Sequence, residues 1–156
     1  MCETAVWRIF SKVRVKLDWP RVVNDELKID VHHTSSLNEV RTFFMPWYAD
    51  DNRTELRYDC DYAKPVTVGD VADDLDRWPQ RTLPIAEYVK DMCSDGAQGL
   101  VLPTYALPND RLLLLDGNHR AVALVVAQIP FSVRLLIVRG PIEPTMLPDL
   151  KHWAKH

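Results

Sequence analysis

The sequence predicts a single compact α/β domain that has a mixed sheet and a buried central helix. Strand-like and helix-like segments alternate along the chain, and the most apolar of them are a leucine run at 112–115 and a helix-like run at 121–127. No flexible Gly/Ser linker divides the 156 residues. A chain of this length can bury about 70% of its unfolded surface as one domain. We therefore expect residues 1–156 to fold as one unit.

The first half of the chain predicts two strands followed by two short helices. Apolar and charged residues alternate over 13–17 and 27–31, the period of a half-buried strand. Two capping boxes mark helix starts, each a hydroxyl residue followed three positions later by an acid: Ser36 with Glu39, and Thr67 with Asp70. Proline ends both helices, so we expect one over 37–46 and one up to Pro79.

The second half gives clearer signals. They predict, in order, a helix from Leu83 to Gly96, strands over 100–105 and 111–116 joined by the turn Pro108-Asn109-Asp110, a helix over 121–127, a strand over 131–138 and a short last helix from Pro148. The leucines at 112–115 do not alternate with polar residues, so that strand should be buried on both faces. The helix over 121–127 is apolar on almost every side and should be central.

Charge and composition restrict the partners. The chain has 19 basic and 22 acidic residues, a net charge of -3, so no whole-protein field attracts nucleic acid or an anionic membrane, and nucleic acid is disfavoured as a partner. The N-terminus has no signal-peptide pattern and no apolar run approaches the roughly 18 residues of a membrane span, so we expect a cytoplasmic protein with no membrane partner. The three cysteines share no Cys-x-x-Cys spacing, and we predict no metal site.

A polar pentad separates the leucine strand from the central helix: Asp116, Gly117, Asn118, His119 and Arg120. The first amides of a helix lack backbone partners and lie at the positive end of its dipole, so they stabilise an anion. Gly117 permits a tight turn, and the other side chains include an amide, an imidazole and a guanidinium that can donate to phosphate oxygens. The pentad is therefore our candidate phosphate-binding or nucleotide-binding site.

A purely structural interpretation of the pentad is also open. Asp116 can cap the helix, Gly117 can turn the chain, and Arg120 can pair with a neighbouring carboxylate at the surface. We favour a site, because four polar residues within an otherwise apolar stretch cost stability unless they serve a purpose.

The pentad, together with the alanine-rich helix after it and Ile129-Pro130-Phe131, resembles the ParB N-terminal-like and sulfiredoxin superfamily. The resemblance covers about residues 84–139, including a glycine and a proline-flanked strand at 99–103 that precede the box, and residues 1–80 are unrecognised. It implies a small α/β fold in which 117–120 bind nucleotide phosphates. ATP or CTP with Mg²⁺ is the ligand that the resemblance implies.

The chain departs from both named branches of that superfamily. Asn118 stands where sulfiredoxins have cysteine, so we do not expect a sulfiredoxin. Only 36 residues follow Arg120, and we expect no helix-turn-helix region of the kind used in DNA partitioning. The resemblance leaves a stand-alone domain, with nucleotide-dependent phosphotransfer or hydrolysis as its possible activities. No catalytic residue is predicted.

An acidic region offers an alternative function. Residues 50–76 contain nine acids and three bases, a local charge of -6. Such a surface attracts a basic partner, for example a toxin nuclease, which the chain would neutralise as an inhibitor or immunity-type protein. The predicted contacts are Asp70, Asp73, Asp74 and Asp76. The structural alternative is a solvated helix face, since like charges on exposed helices cost little.

Overall fold

A seven-stranded mixed sheet organises residues 3–154, the part of the chain that the structure, a computed structural model, describes. Its strands are β1 (Lys28–Thr34), β2 (Phe44–Ala49), β3 (Glu55–Leu56), β4 (Lys64–Thr67), β5 (Gln98–Ala106), β6 (Leu112–Leu114) and β7 (Phe131–Arg139). Their order is β1-β7-β5-β6-β2-β3, and β4 also pairs with β2. The pairs β5/β7 and β2/β6 are parallel, and the others are antiparallel.

Helices cover both faces of this sheet. They are α1 (Glu3–Phe10), α2 (Trp19–Asn24), α3 (Leu37–Arg41), α4 (Val68–Ala72), α5 (Pro79–Asp95) and α6 (Asn118–Ala127), with 3-10 segments at Leu75–Arg77, Pro108–Asp110 and Pro148–His152. Successive residues of β7 serve opposite faces: Leu135 packs in the core under α3 to α6, and Leu136 packs in the core under α1 and α2. The described part of the chain is therefore one α/β domain, as predicted, and it has two hydrophobic cores, one on each face of the sheet.

The helix α6 lies inside the first of these cores. Its residues 121–125 are all buried, and it contacts α3, α4 and α5. The prediction of a buried central helix is confirmed. The leucine strand is confirmed as β6, although it ends at Leu114 rather than Asp116. Of the helices that the structure describes, none is both long and apolar enough to cross a membrane.

The strand predicted over 13–17 is wrong. This segment is an irregular loop between α1 and α2, whereas the similar pattern over 27–31 does form β1. Val13, Val15 and Leu17 pack against the second core, so the alternation reports one-sided burial correctly. The backbone turns on itself instead of pairing with a strand, because the Leu17 N–H donates to the carbonyl of Val15.

The helix predicted over 37–46 ends earlier, at Arg41. Its capping box is only half formed: Ser36 Oγ accepts from the Glu39 N–H at 3.3 Å, but the Glu39 carboxylate bonds His32 instead. Pro46 lies inside β2, where the register shifts between Met45 and Tyr48. A proline is tolerated at such an irregularity because no ladder bond requires its missing N–H.

The second capping box is confirmed, with both of its hydrogen bonds present at 3.0 and 3.1 Å. The helix that it starts ends at Ala72, short of the predicted stop at Pro79. Pro79 instead begins α5, four residues before the predicted start at Leu83. Proline suits a first helical position, where the backbone N–H would lack a partner in any case. The last predicted helix is present as the 3-10 segment Pro148–His152.

Candidate functional site

The polar pentad forms the turn between β6 and α6. Gly117 has φ +76° and ψ 21°, the left-handed conformation that favours glycine. Asp116 Oδ1 accepts a hydrogen bond from the Gly117 N–H at 2.8 Å, so Asp116 stabilises the turn and does not cap the helix. The structural alternative in which Asp116 is the helix cap is therefore wrong.

Neighbouring atoms also leave no room for a side chain at Gly117. A Cβ atom at this position would lie 2.5 Å from Leu102 Cδ2 and 3.3 Å from Arg120 Nη2. Leu102 is fully buried, so it has little room to move. The guanidinium of Arg120 thus folds back over the turn, in the direction in which helical side chains point.

The amino-terminal end of α6 presents backbone donors. The first internal hydrogen bond joins the Ala121 N–H to the Gly117 carbonyl at 2.9 Å, which leaves the amides of residues 118–120 without a partner inside the helix. No described side chain caps this end. These amides and the helix dipole are therefore available to a negatively charged group.

The whole pentad borders an open cleft of about 720 Å³. Eight other polar or aromatic residues of the wall come from distant parts of the chain: Trp47, Tyr58, Arg81, Tyr88, Asp149, and the exposed cations Lys12, Arg14 and Lys16 of the loop between α1 and α2. The structure thus brings the five predicted site residues together. It adds a cationic wall that the sequence did not predict.

This cleft carries an excess of positive charge. Among the side chains that the structure describes, those of residues 5–154, Arg120 and the three cations of the loop form no ion pair, so the predicted pairing of Arg120 with a carboxylate is wrong. Arg81 binds Glu55 at 2.7 Å. The carboxylates of the wall, Asp116 and Asp149, each accept a hydrogen bond from the protein. These hydrogen bonds do not cancel the charge of the two carboxylates, but the four cations without an ion pair outnumber them, so the wall keeps a net positive charge for an anionic ligand.

Trp47 fixes two of the polar groups. Its buried ring contacts both the imidazole of His119, with ring centroids 5.0 Å apart, and the guanidinium of Arg81, 4.2 Å from the ring centre. Burial lowers the pKa of His119, and the positive charges of Arg81 and Arg14 lower it further. A neutral imidazole still supplies one N–H donor to a ligand.

A buried pair of side chains supports the far side of the cleft. The hydroxyl of Tyr48 donates to Asp149 Oδ2 at 2.5 Å, and burial, followed by the negative charge of Asp149, raises the pKa of Tyr48. The two residues are 101 positions apart, so no local pattern could have paired them. The cations at 12, 14 and 16 could have been grouped from the sequence, because the alternation of apolar and charged residues places all three on one side of their segment.

The acidic residues of the alternative function are largely engaged within the protein. Asp73 pairs with Arg41 at 2.5 Å, Asp74 with Arg53 at 2.9 Å, and Asp70 closes the cap of α4. These three residues border one shallow hollow, and Asp76 does not. No three His, Cys, Asp or Glu side chains converge as a metal-binding group among those that the structure describes, in residues 5–154.

The comparisons with known proteins identify no relative: the chain matches no family model, no curated protein and no solved structure. The resemblance of residues 84–139 to the ParB N-terminal-like and sulfiredoxin superfamily therefore stays a prediction.

Proposed function

We propose that the cleft binds the phosphate of a nucleotide, with the amino-terminal end of α6 and Arg120 as its main contacts. The observation that carries this proposal is the position of an unpaired guanidinium directly over an uncapped helix end. Backbone amides, the helix dipole and a charged fork favour the same anion at the same place.

The charge of the cleft supports a ligand with more than one phosphate. A phosphate monoester carries about two negative charges at neutral pH. Arg120 and the cations of the loop provide four positive charges without protein partners. The cleft, at about 720 Å³, also has the size of a typical small-molecule site. ATP or CTP with Mg²⁺, the ligand that the superfamily resemblance implies, meets both conditions.

Neutralisation of a basic partner has weaker support. Asp73 and Asp74 already pair with arginines of the same chain, so a partner's cations would have to compete with those arginines. The cleft, by contrast, has four cations that form no ion pair with the described side chains of the protein. Phosphotransfer and hydrolysis remain predictions of the resemblance, and no catalytic residue is proposed for them.

Titration calorimetry with ATP, CTP and GTP, each with Mg²⁺, tests the proposal. Arg120→Ala is expected to weaken binding by about tenfold to a hundredfold, the value of a hydrogen bond to a charged group. Arg134→Ala is the matched control, because Arg134 is an exposed arginine on β7 that does not border the cleft. The proposal fails if no nucleotide gives heat, or if the two variants bind equally well.

A further inference from the structure

A buried carboxylate lies in the wall of this cationic cleft. Asp149 is only 7% exposed, and its Oδ2 is held by the hydroxyl of Tyr48 at 2.5 Å. Its Oδ1 accepts no hydrogen bond from the side chains that the structure describes, those of residues 5–154, and it is not among the buried atoms that lack a partner, so it keeps contact with solvent. A carboxylate repels the phosphate of a ligand and is costly to bury, so one that borders an anion site is expected to meet another part of the ligand.

A second acceptor in the wall also lacks a donor. Asn118 Oδ1 is buried and has no hydrogen-bond partner among the described residues. Doubly ionised phosphate groups have only acceptor oxygens, so a phosphate cannot satisfy either Asn118 Oδ1 or Asp149. Asn118 Oδ1 is the buried atom without a partner, and Asp149 keeps one oxygen without a protein donor beside the cleft. A ligand that carries a donor beside its phosphates therefore complements this wall better than phosphate alone does.

We propose that the ligand is a phosphorylated ribose, such as a ribonucleotide, with a ribose hydroxyl that donates to Asp149. This inference rests on the proposed function, which places the phosphate at α6 and Arg120. Carboxylates are the partners of ribose hydroxyls in many nucleotide sites, because a hydroxyl donates strongly to a charged oxygen. Asp149 is then the residue that distinguishes ribose from deoxyribose, and Tyr48 holds it in position.

The test compares ATP with 2'-deoxy-ATP and 3'-deoxy-ATP by titration calorimetry on the full chain. The native protein is expected to bind ATP about tenfold to a hundredfold more tightly than at least one of the two analogues, since each lacks one hydroxyl. In Asp149→Ala this preference should fall to within about twofold. The measured quantity is the ratio of affinities, because a general loss of stability lowers the apparent affinity for all three ligands by the same factor.

Two further variants complete the design. Tyr48→Phe with Asp149→Ala removes both hydrogen-bonding partners together and so serves if the single variant folds poorly. Asp91→Asn removes an exposed charge on α5 away from the cleft and should retain the preference for ATP.

Each remaining outcome overturns a stated part of the reasoning. Equal affinity for ATP and both analogues, or a preference that survives Asp149→Ala, contradicts the ribose inference and leaves the phosphate proposal intact. A loss of Mg²⁺ dependence in Asp149→Ala with an unchanged preference also contradicts it, since the carboxylate then serves the metal. If ATP, its analogues and pyrophosphate all fail to bind, both proposals fail.

Discussion

Replacement of Gly117 by alanine tests whether the turn before α6 requires glycine. Gly117 has φ +76°, and an alanine in the left-handed region costs about 1–2 kcal/mol. The added Cβ would lie 2.5 Å from Leu102 Cδ2, in a packed core, and relief of such an overlap costs about 1–3 kcal/mol. We expect Gly117→Ala to lower the free energy of unfolding by about 2–5 kcal/mol, a large share of a typical domain's stability.

Two other glycines separate the two contributions. Gly96 has φ +87° but no atom within 4 Å of an added Cβ, so Gly96→Ala should cost only the conformational part, about 1–2 kcal/mol. Gly99 has neither constraint, and Gly99→Ala in β5 should change stability by about 1 kcal/mol or less. Urea denaturation gives the unfolding midpoint of each of the three variants. With one common slope of free energy against urea concentration, the midpoints convert to differences in the free energy of unfolding.

The order of the three losses in the free energy of unfolding tests whether the contact with Leu102 constrains position 117. If Gly117→Ala costs no more than Gly96→Ala, within about 0.5 kcal/mol, the contact with Leu102 is not a constraint and the reasoning about the turn is wrong.

Three further predictions concern stability. Burial lowers the pKa of His119 and His152 from the ordinary value of 6.5, so unfolding takes up protons below that pH and stability falls as the pH falls towards the folded values. Urea midpoints from about pH 5 to pH 8 should show this decline, and it should shrink when both histidines are replaced by glutamine. Tyr48→Phe deprives buried Asp149 of its donor and should cost about 1.5–3 kcal/mol in the same assay, with an unchanged value contradicting the bond. Thr67→Ala breaks a complete capping box and should cost about 1 kcal/mol in thermal or urea unfolding, with a smaller loss for Ser36→Ala, whose box is half formed.

Local patterns predicted the second half of the fold better than the first. From α5 to β7 the chain uses long apolar segments bounded by glycine, proline and turn residues, and each predicted element is present. The loop over 13–17 shows why the first half was harder. Its alternation is real and half-buries Val13 and Val15, but a strand also needs a backbone partner, and this segment pairs with none of the described strands.

Part of the candidate site could likewise be predicted from the sequence, and part could not. The pentad at 116–120 was predicted because a run of polar residues between two buried segments is visible in the sequence alone. Arg81, Asp149 and the loop cations were not predicted as site residues, since side chains far apart in sequence meet only through the pairing of strands and the packing of helices.

The sequence by itself determined the α/β class, the buried helix and the polar turn that precedes it, because hydrophobic period, capping residues and glycine act over a few neighbouring positions. Only the tertiary structure decided which charges remain unpaired. It neutralises Asp73 and Asp74 with arginines of the same chain, and it leaves Arg120 facing a cleft with three cations from another loop. Electrostatic energy depends on distance in space and on burial, and the order of residues along the chain specifies neither until the chain has folded.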